Sequence, residues 1–145
     1  MNRILYIGVF IIKWFMWRMI MNSIENDAQS IYLEELIRNT IQEVGVPSHI
    51  IGYEILCTAV LFVINDSSMI KSVSKFLYPS VAGRYRITAS QVQRAITQAI
   101  EIASGRGNEL FGHCFAGNSW LKPPTNRDFI SKIADIVKKK IENQM

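Results

Sequence analysis

The sequence predicts an all-α protein of about six helices around one core, and three observations carry that prediction. Apolar residues recur at three- and four-residue spacing in successive stretches of the chain. Proline, glycine and hydroxyl or amide residues fall between those stretches, where helices start and stop. No stretch shows sustained two-residue alternation flanked by turn pairs, so no sheet is expected. At 145 residues, 49% hydrophobic and 19% charged, the chain is long enough for one sizeable core and too short for two full domains.

The elements follow in order. Residues 1–22 form an apolar N-terminal segment, in which Ile4–Ile20 is interrupted only by Lys13 and Arg18. Its 17 apolar-rich residues fall short of the ~20 that span a bilayer, and a mid-span lysine costs roughly 2.5–3.5 kcal/mol. Lys13, Trp14, Trp17 and Arg18 occupy the place where a secretory cleavage site would need small residues. Two readings stay open for this segment: a membrane anchor acting through residues 4–20, or an over-long start, since Met21-Asn22 could begin the chain as Met1-Asn2 does. Residues 23–145 are then the helical domain.

From Ile31, Leu33, Leu36, Ile37, Ile41 and Val44 mark one helix face, and Gly45 stops it. Pro47 starts a second helix over Ser48 to about Ile64, apolar enough at Ile50, Ile51, Ile55, Leu56, Ala59, Val60, Phe62 and Val63 to be the central element. A third, about Ile70 to Ala82, buries Val73, Phe76, Leu77 and Val81, with Pro79 bending or dividing it. Thr88-Ala89-Ser90-Gln91 is a capping box that opens a helix from about Ala89 to Gly105. Its stripe of Val92, Ala95, Ile96, Ala99, Ile100 and Ala103 faces the core; Ser90, Gln91, Gln93, Arg94, Thr97, Gln98 and Glu101 face away. After a short apolar stretch at Leu110-Phe111 and a glycine-containing loop, the last helix runs from about Asn126 to Ile141. It buries Phe129, Ile130, Ile133, Ile136 and Val137, and Lys138-Lys139-Lys140 complements its C-terminal dipole.

Charge is unevenly placed. Residues 25–66 hold seven acids against Arg38 alone, whereas residues 71–106 hold Lys71, Lys75, Arg84, Arg86, Arg94 and Arg106 against Glu101 alone. A basic stretch beside a helix that exposes Gln, Arg, Gln and Thr near its N-terminus is what a major-groove reader needs. Arginine pairs with guanine O6 and N7, and glutamine with adenine N6 and N7. Gln91, Gln93 and Arg94 are the candidate base readers. Lys75, Arg84, Arg86, Thr88, Ser90, Thr97 and Gln98 are the candidates for holding phosphates.

Other chemistry is poorly served. Cys57 and Cys114 stand far apart without a CxxC pair, His113-Cys114 are adjacent, the carboxylates are unpaired, and no glycine loop cradles a phosphate. No enzyme, metal or cofactor is expected.

Several runs carry a resemblance to a known family. They are Gly45-Val46-Pro47-Ser48-His49-Ile50 with Gly52-Tyr53, then Leu77-Tyr78-Pro79, then Thr88 through Ile96 with Ala99-Ile100-Glu101 and Arg106-Gly107-Asn108. Leu110-Phe111-Gly112, Pro124-Thr125-Asn126 and Phe129-Ile130 complete the series. Together they strongly resemble the C-terminal effector domain of the response regulator that controls initiation of sporulation, from about Leu33 to Val137. The resemblance implies a helix-turn-helix among about six helices, winged-helix-like in role but without a sheet. It also implies transcriptional regulation through a short promoter element read in the major groove by helix 89–105, in the cytoplasm. The implied partners are double-stranded DNA, the sigma factor of RNA polymerase, and a second copy of the chain on DNA.

The departures are specific. The family's recognition helix reads S-R-V-E-R-A-I-R-H where this chain has Ser90-Gln91-Val92-Gln93-Arg94-Ala95-Ile96-Thr97-Gln98. Of its charged readers only Arg94 survives, so fewer phosphate contacts and a flatter salt dependence are expected. The segment between Asn108 and Phe111, where the family meets sigma factor, is shorter, which favours repression by occupancy over activation. About thirty residues precede the match, leaving no room there for a phosphoacceptor receiver domain. The competing reading is a degenerate homologue that no longer binds DNA and serves as an interaction module, tethered or free.

Overall fold

The computed structural model describes residues 2–115 and 122–144, with side chains described from residue 7 onward. Among the described residues there are six α-helices and no strand: α1 (Asn2–Glu43), α2 (Ile51–Asn65), α3 (Tyr78–Tyr85), α4 (Ala89–Gly105), α5 (Glu109–Phe115) and α6 (Asn126–Gln144). The chain divides into two units, residues 1–33 and residues 34–145. The first unit is helical from Asn2 onward, and its large apolar side chains from Ile7 to Ile20 are exposed.

In the second unit α2 is the hub, packing against both α4 and α6, while α3 packs on α4. Its core contains Ile37, Ile41, Ile55, Leu56, Val60, Leu77, Val81, Ile96, Ile100, Phe129, Ile130 and Ile133. The α2–α4 crossing is close because α2 carries Gly52 there. A Cβ built on Gly52 would lie 2.6 Å from the Ala95 carbonyl oxygen and 2.9 Å from Ala99 Cβ.

The last turns of α1 belong to the second unit and end as the sequence signals. Gly45 takes φ +103°, and Val46 N–H reaches back to Ile41 O at 3.3 Å, a glycine-terminated helix end. Asn108 closes two ends at once. Its Nδ2 donates to Glu43 O at 3.1 Å, and its Oδ1 accepts from Leu110 and Phe111 N–H at 2.8 and 3.2 Å.

The structure corrects several expectations. Pro47 does not start α2, which begins at Ile51, and Ile51 itself is exposed. The helix expected over about 70–82 is three pieces: a 3-10 turn (Ser67–Ser72), a π turn (Val73–Leu77), and α3 with Pro79 in its first turn, where its missing N–H costs nothing. The π turn rotates Phe76 out to solvent, so it is not a core residue. The stretch after Asn108 is a helix, α5, begun by the Asn108 cap; the glycine-containing loop expected beyond it falls partly on residues 116–121, which lie outside the described residues. In α6, Ile136 is only half-buried and Ala134 is buried instead. The lysines of α6 precede its last turn, and Lys140 is spent on α1, donating to Glu43 Oε2 at 2.9 Å and Thr40 Oγ1 at 3.1 Å.

One ion pair ties α1 to α2: Arg38 donates to both carboxylate oxygens of Glu54, at 2.7 and 2.8 Å. The Arg38 hydrogen bond holds the Glu54 carboxyl below its ordinary value of 4.5. A lowered folded pKa means that the pair's contribution is present above about pH 4.5 and fades as pH falls through the lowered value. With side chains 41% and 42% exposed, screening keeps that contribution under about 1 kcal/mol. Urea unfolding near neutral pH and in acid should therefore show a smaller stability loss on acidification for Glu54→Gln than for the parent.

Gly52→Ala provides a stronger test. Alanine in an open helix interior would stabilise by roughly 0.5–1 kcal/mol. Here the sign should reverse, to a loss of about 1–3 kcal/mol in the same urea titration, because Cβ meets a helix backbone.

Candidate nucleic-acid interface

The geometry of the surface begins at the turn between α3 and α4. Arg86 follows α3 in the left-handed region (φ 55°, ψ 41°), and its N–H donates to Ala82 O. Ile87 N–H reaches the same oxygen at 3.2 Å, closing the helix end. A non-glycine residue held there costs on the order of 1 kcal/mol, and Arg86 is exposed.

Thr88 is the N-cap of α4, with extended backbone. The capping box expected from the sequence is formed: Gln91 N–H donates to Thr88 Oγ1 at 3.1 Å, and Thr88 N–H donates to Gln91 Oε1 at 2.9 Å. Val92, Ile96, Ala99, Ile100 and Ala103 are buried, and Ala95, also expected inside, is half-buried. With the apolar stripe turned inward, the opposite face is fixed outward. Ser90, Gln93, Arg94, Thr97, Gln98 and Glu101 line one shallow concavity along α4.

The candidate residues do not all stand alike. Gln93, Arg94, Ser90 and Gln98 are exposed on that strip. Gln91 is exposed but commits its side-chain oxygen to the cap, so it cannot offer both ends of its amide to adenine while the cap is closed. Thr97 is half-buried, and its hydroxyl donates to Gln93 O at 2.9 Å and accepts from Asn126 Nδ2 at 3.0 Å. Its single proton is used within the protein in this arrangement. Arg84 lines a different, smaller hollow with Glu34, Arg38, Glu54 and Tyr85, and is not brought onto the α4 strip. Lys75 is exposed on the π turn.

Sequence reasoning missed Asn126 as part of this arrangement. At the start of α6 it donates to Tyr78 Oη at 3.0 Å, to Gln93 O at 3.3 Å and to Thr97 Oγ1, so it joins α3, α4 and α6 at one point. No periodicity signals such a tie. The local cue was Thr125-Asn126, where Thr125 Oγ1 caps α6 by accepting from Asp128 N–H at 3.1 Å.

Of the two free cysteines, Cys114 is half-buried and Cys57 lies in the core. Cys57 is buried in α2, and burial pushes its thiol up to about 12, which keeps it protonated and poorly nucleophilic.

A short helix, a three-residue turn and a longer helix with its polar face outward is the helix-turn-helix arrangement. The family model described as "Sporulation initiation factor Spo0A C terminal" matches residues 37–137, which is most of the second unit and more than half of the chain. The chain belongs to this family. Spo0A C-terminal domains are DNA-binding regulators of sporulation rather than enzymes, and that work places them in the cytoplasm. Residues 37–137 take in α2 through α5 and most of α6, together with the end of α1, so every residue of the α4 strip lies inside the family match.

Removing the cap tests the geometry of α4 directly. Thr88→Ala should cost about 1 kcal/mol of stability, read as a lower urea midpoint, because Gln91 N–H loses its acceptor. Thr88→Ser should restore most of it.

Proposed function

We propose that this chain is a sequence-specific DNA-binding transcription regulator that sets α4 in the major groove. The observation that carries the reading is the α4 strip itself. A 17-residue helix, anchored on its inner face by five buried apolar side chains, turns Ser90, Gln93 and Arg94 to solvent in its N-terminal half and Gln98 just past its middle. Side chains near the N-terminus of such a helix are the ones that reach base edges.

Within that reading the residues take unequal roles. Arg94 is the principal base reader, with two N–H groups suited to guanine O6 and N7. Gln93 is the second, since its amide makes no hydrogen bond that the cap or the Asn126 tie requires. Gln91 contributes at most its Nε2 as a donor while its oxygen closes the cap. Arg86, at the turn, and the hydroxyls of Thr88 and Ser90 sit around the N-terminus of α4, where the helix dipole also favours a phosphate. Lys75 and Gln98 extend the backbone contacts, and Arg84 lies apart from them. Glu101 at the far end of the strip repels phosphate and limits the footprint to the N-terminal half of the helix.

Among the described residues Lys75, Arg86 and Arg94 are the exposed cations assigned to this surface, and Arg127 is exposed beside Asn126, which bonds to α4; each cation that meets a phosphate steepens the salt dependence of binding. The assignment separates two kinds of mutant. Arg94→Ala should weaken binding to the preferred duplex by roughly 5- to 150-fold, equivalent to about 1–3 kcal/mol, and leave binding to unrelated duplex almost unchanged. Arg86→Ala should weaken binding to all duplexes and lower the slope of log affinity against log salt by about one. Fluorescence anisotropy over a salt series measures both. Equal losses on every sequence for Arg94→Ala would remove its role as a base reader.

A further inference from the structure

We propose that the N-terminal unit inserts into a lipid bilayer through residues 4–20, making this chain a membrane-held member of its family. Eleven large apolar side chains between Ile7 and Ile20 are each 52–76% exposed: Ile7, Val9 to Ile12, Trp14 to Trp17, Met19 and Ile20. They occupy almost every position, so they surround the helix rather than forming one stripe. The two charges within the run do not make a polar face, because Lys13 and Arg18 are five residues apart and project roughly 140° from one another. A helix apolar all round calls for an apolar solvent all round, whereas a helical partner or a second copy would cover one seam and leave the rest in water.

Length and charge agree with lipid as the occupant. Residues 4–20 rise ~26 Å as a helix, a few ångströms short of the ~30 Å hydrocarbon core, with Asn2-Arg3 before them and Met21-Asn22 after them. The first acid is Glu25, so Arg3, Lys13 and Arg18 act on anionic headgroups without opposition. Arg18 stacks over Trp14, its Cζ 5.2 Å from the ring centroid, and Trp17 lies beside them. That pairing of indole and guanidinium suits the headgroup layer, and it marks the end of the insertion nearer residue 22. Lys13 is the one costly residue, and its long apolar stem lets the ammonium reach toward the same layer.

The experiment is flotation of the full chain with vesicles of three parts phosphatidylcholine to one part phosphatidylglycerol, in low salt and in about 1 M NaCl. The expected result is flotation in both salts, abolished by Ile11→Asp with Phe15→Asp, positions 60% and 58% exposed. DNA binding by that double variant, measured alongside, shows that it is folded and keeps this outcome separate from the reading of α4. Flotation only in low salt would mean adsorption by the basic residues and would overturn insertion. A full chain left in the dense fraction as a discrete oligomer would overturn it in favour of self-association.

Discussion

Gly52 lets α2 and α4 cross with the backbone of one helix in the space where the other would carry a side chain. That approach sets the depth at which α4 sits, and the apolar stripe from Val92 to Ala103 sets its rotation. Once both are fixed, the side chains of the opposite face have no freedom to be anywhere but outside. The outward display of Gln93, Arg94 and Gln98 is therefore a consequence of packing on the inner side. The side chains of Gln93, Arg94 and Gln98 themselves are not needed to hold that display.

Polar ties then fix what packing leaves loose. The doubled hydrogen bond to Ala82 O ends α3 sharply, the Thr88–Gln91 box starts α4, and Asn126 pins the middle of α4 to α3 and α6. These ties compete with recognition for the same groups. Gln91 and Thr97 stand where the family places charged residues, and here both turn hydrogen-bonding capacity inward. The chain thus holds its helix firmly with residues that another member would spend on DNA. Under the proposed reading, discrimination then falls to Arg94 and Gln93.

The helices with strong periodicity were legible in the sequence because their apolar stripes leave one way to bury them: α4 was placed at both ends, and the cap residues were named. The segment 67–77 was not legible in detail. A 3-10 turn followed by a π turn breaks the 3.6-residue register, and Phe76, which continues the pattern on paper, rotates into solvent. Helix α5 was missed because seven residues are too few for a periodic signal, and the Asn108 cap that starts it also reaches across to α1. At the candidate interface, the exposed residues followed from the helical wheel. Asn126 and the inward hydroxyl of Thr97 did not, since both depend on how α6 returns against α4.

The central claim is that the outer face of α4 reads base sequence, and selection from a randomised duplex library with the full chain tests it most directly. The account predicts enrichment of one short motif containing a guanine step for Arg94, with no such motif recovered by the Arg94→Ala chain. Uniform, weak and salt-sensitive retention of every sequence by both chains would contradict it.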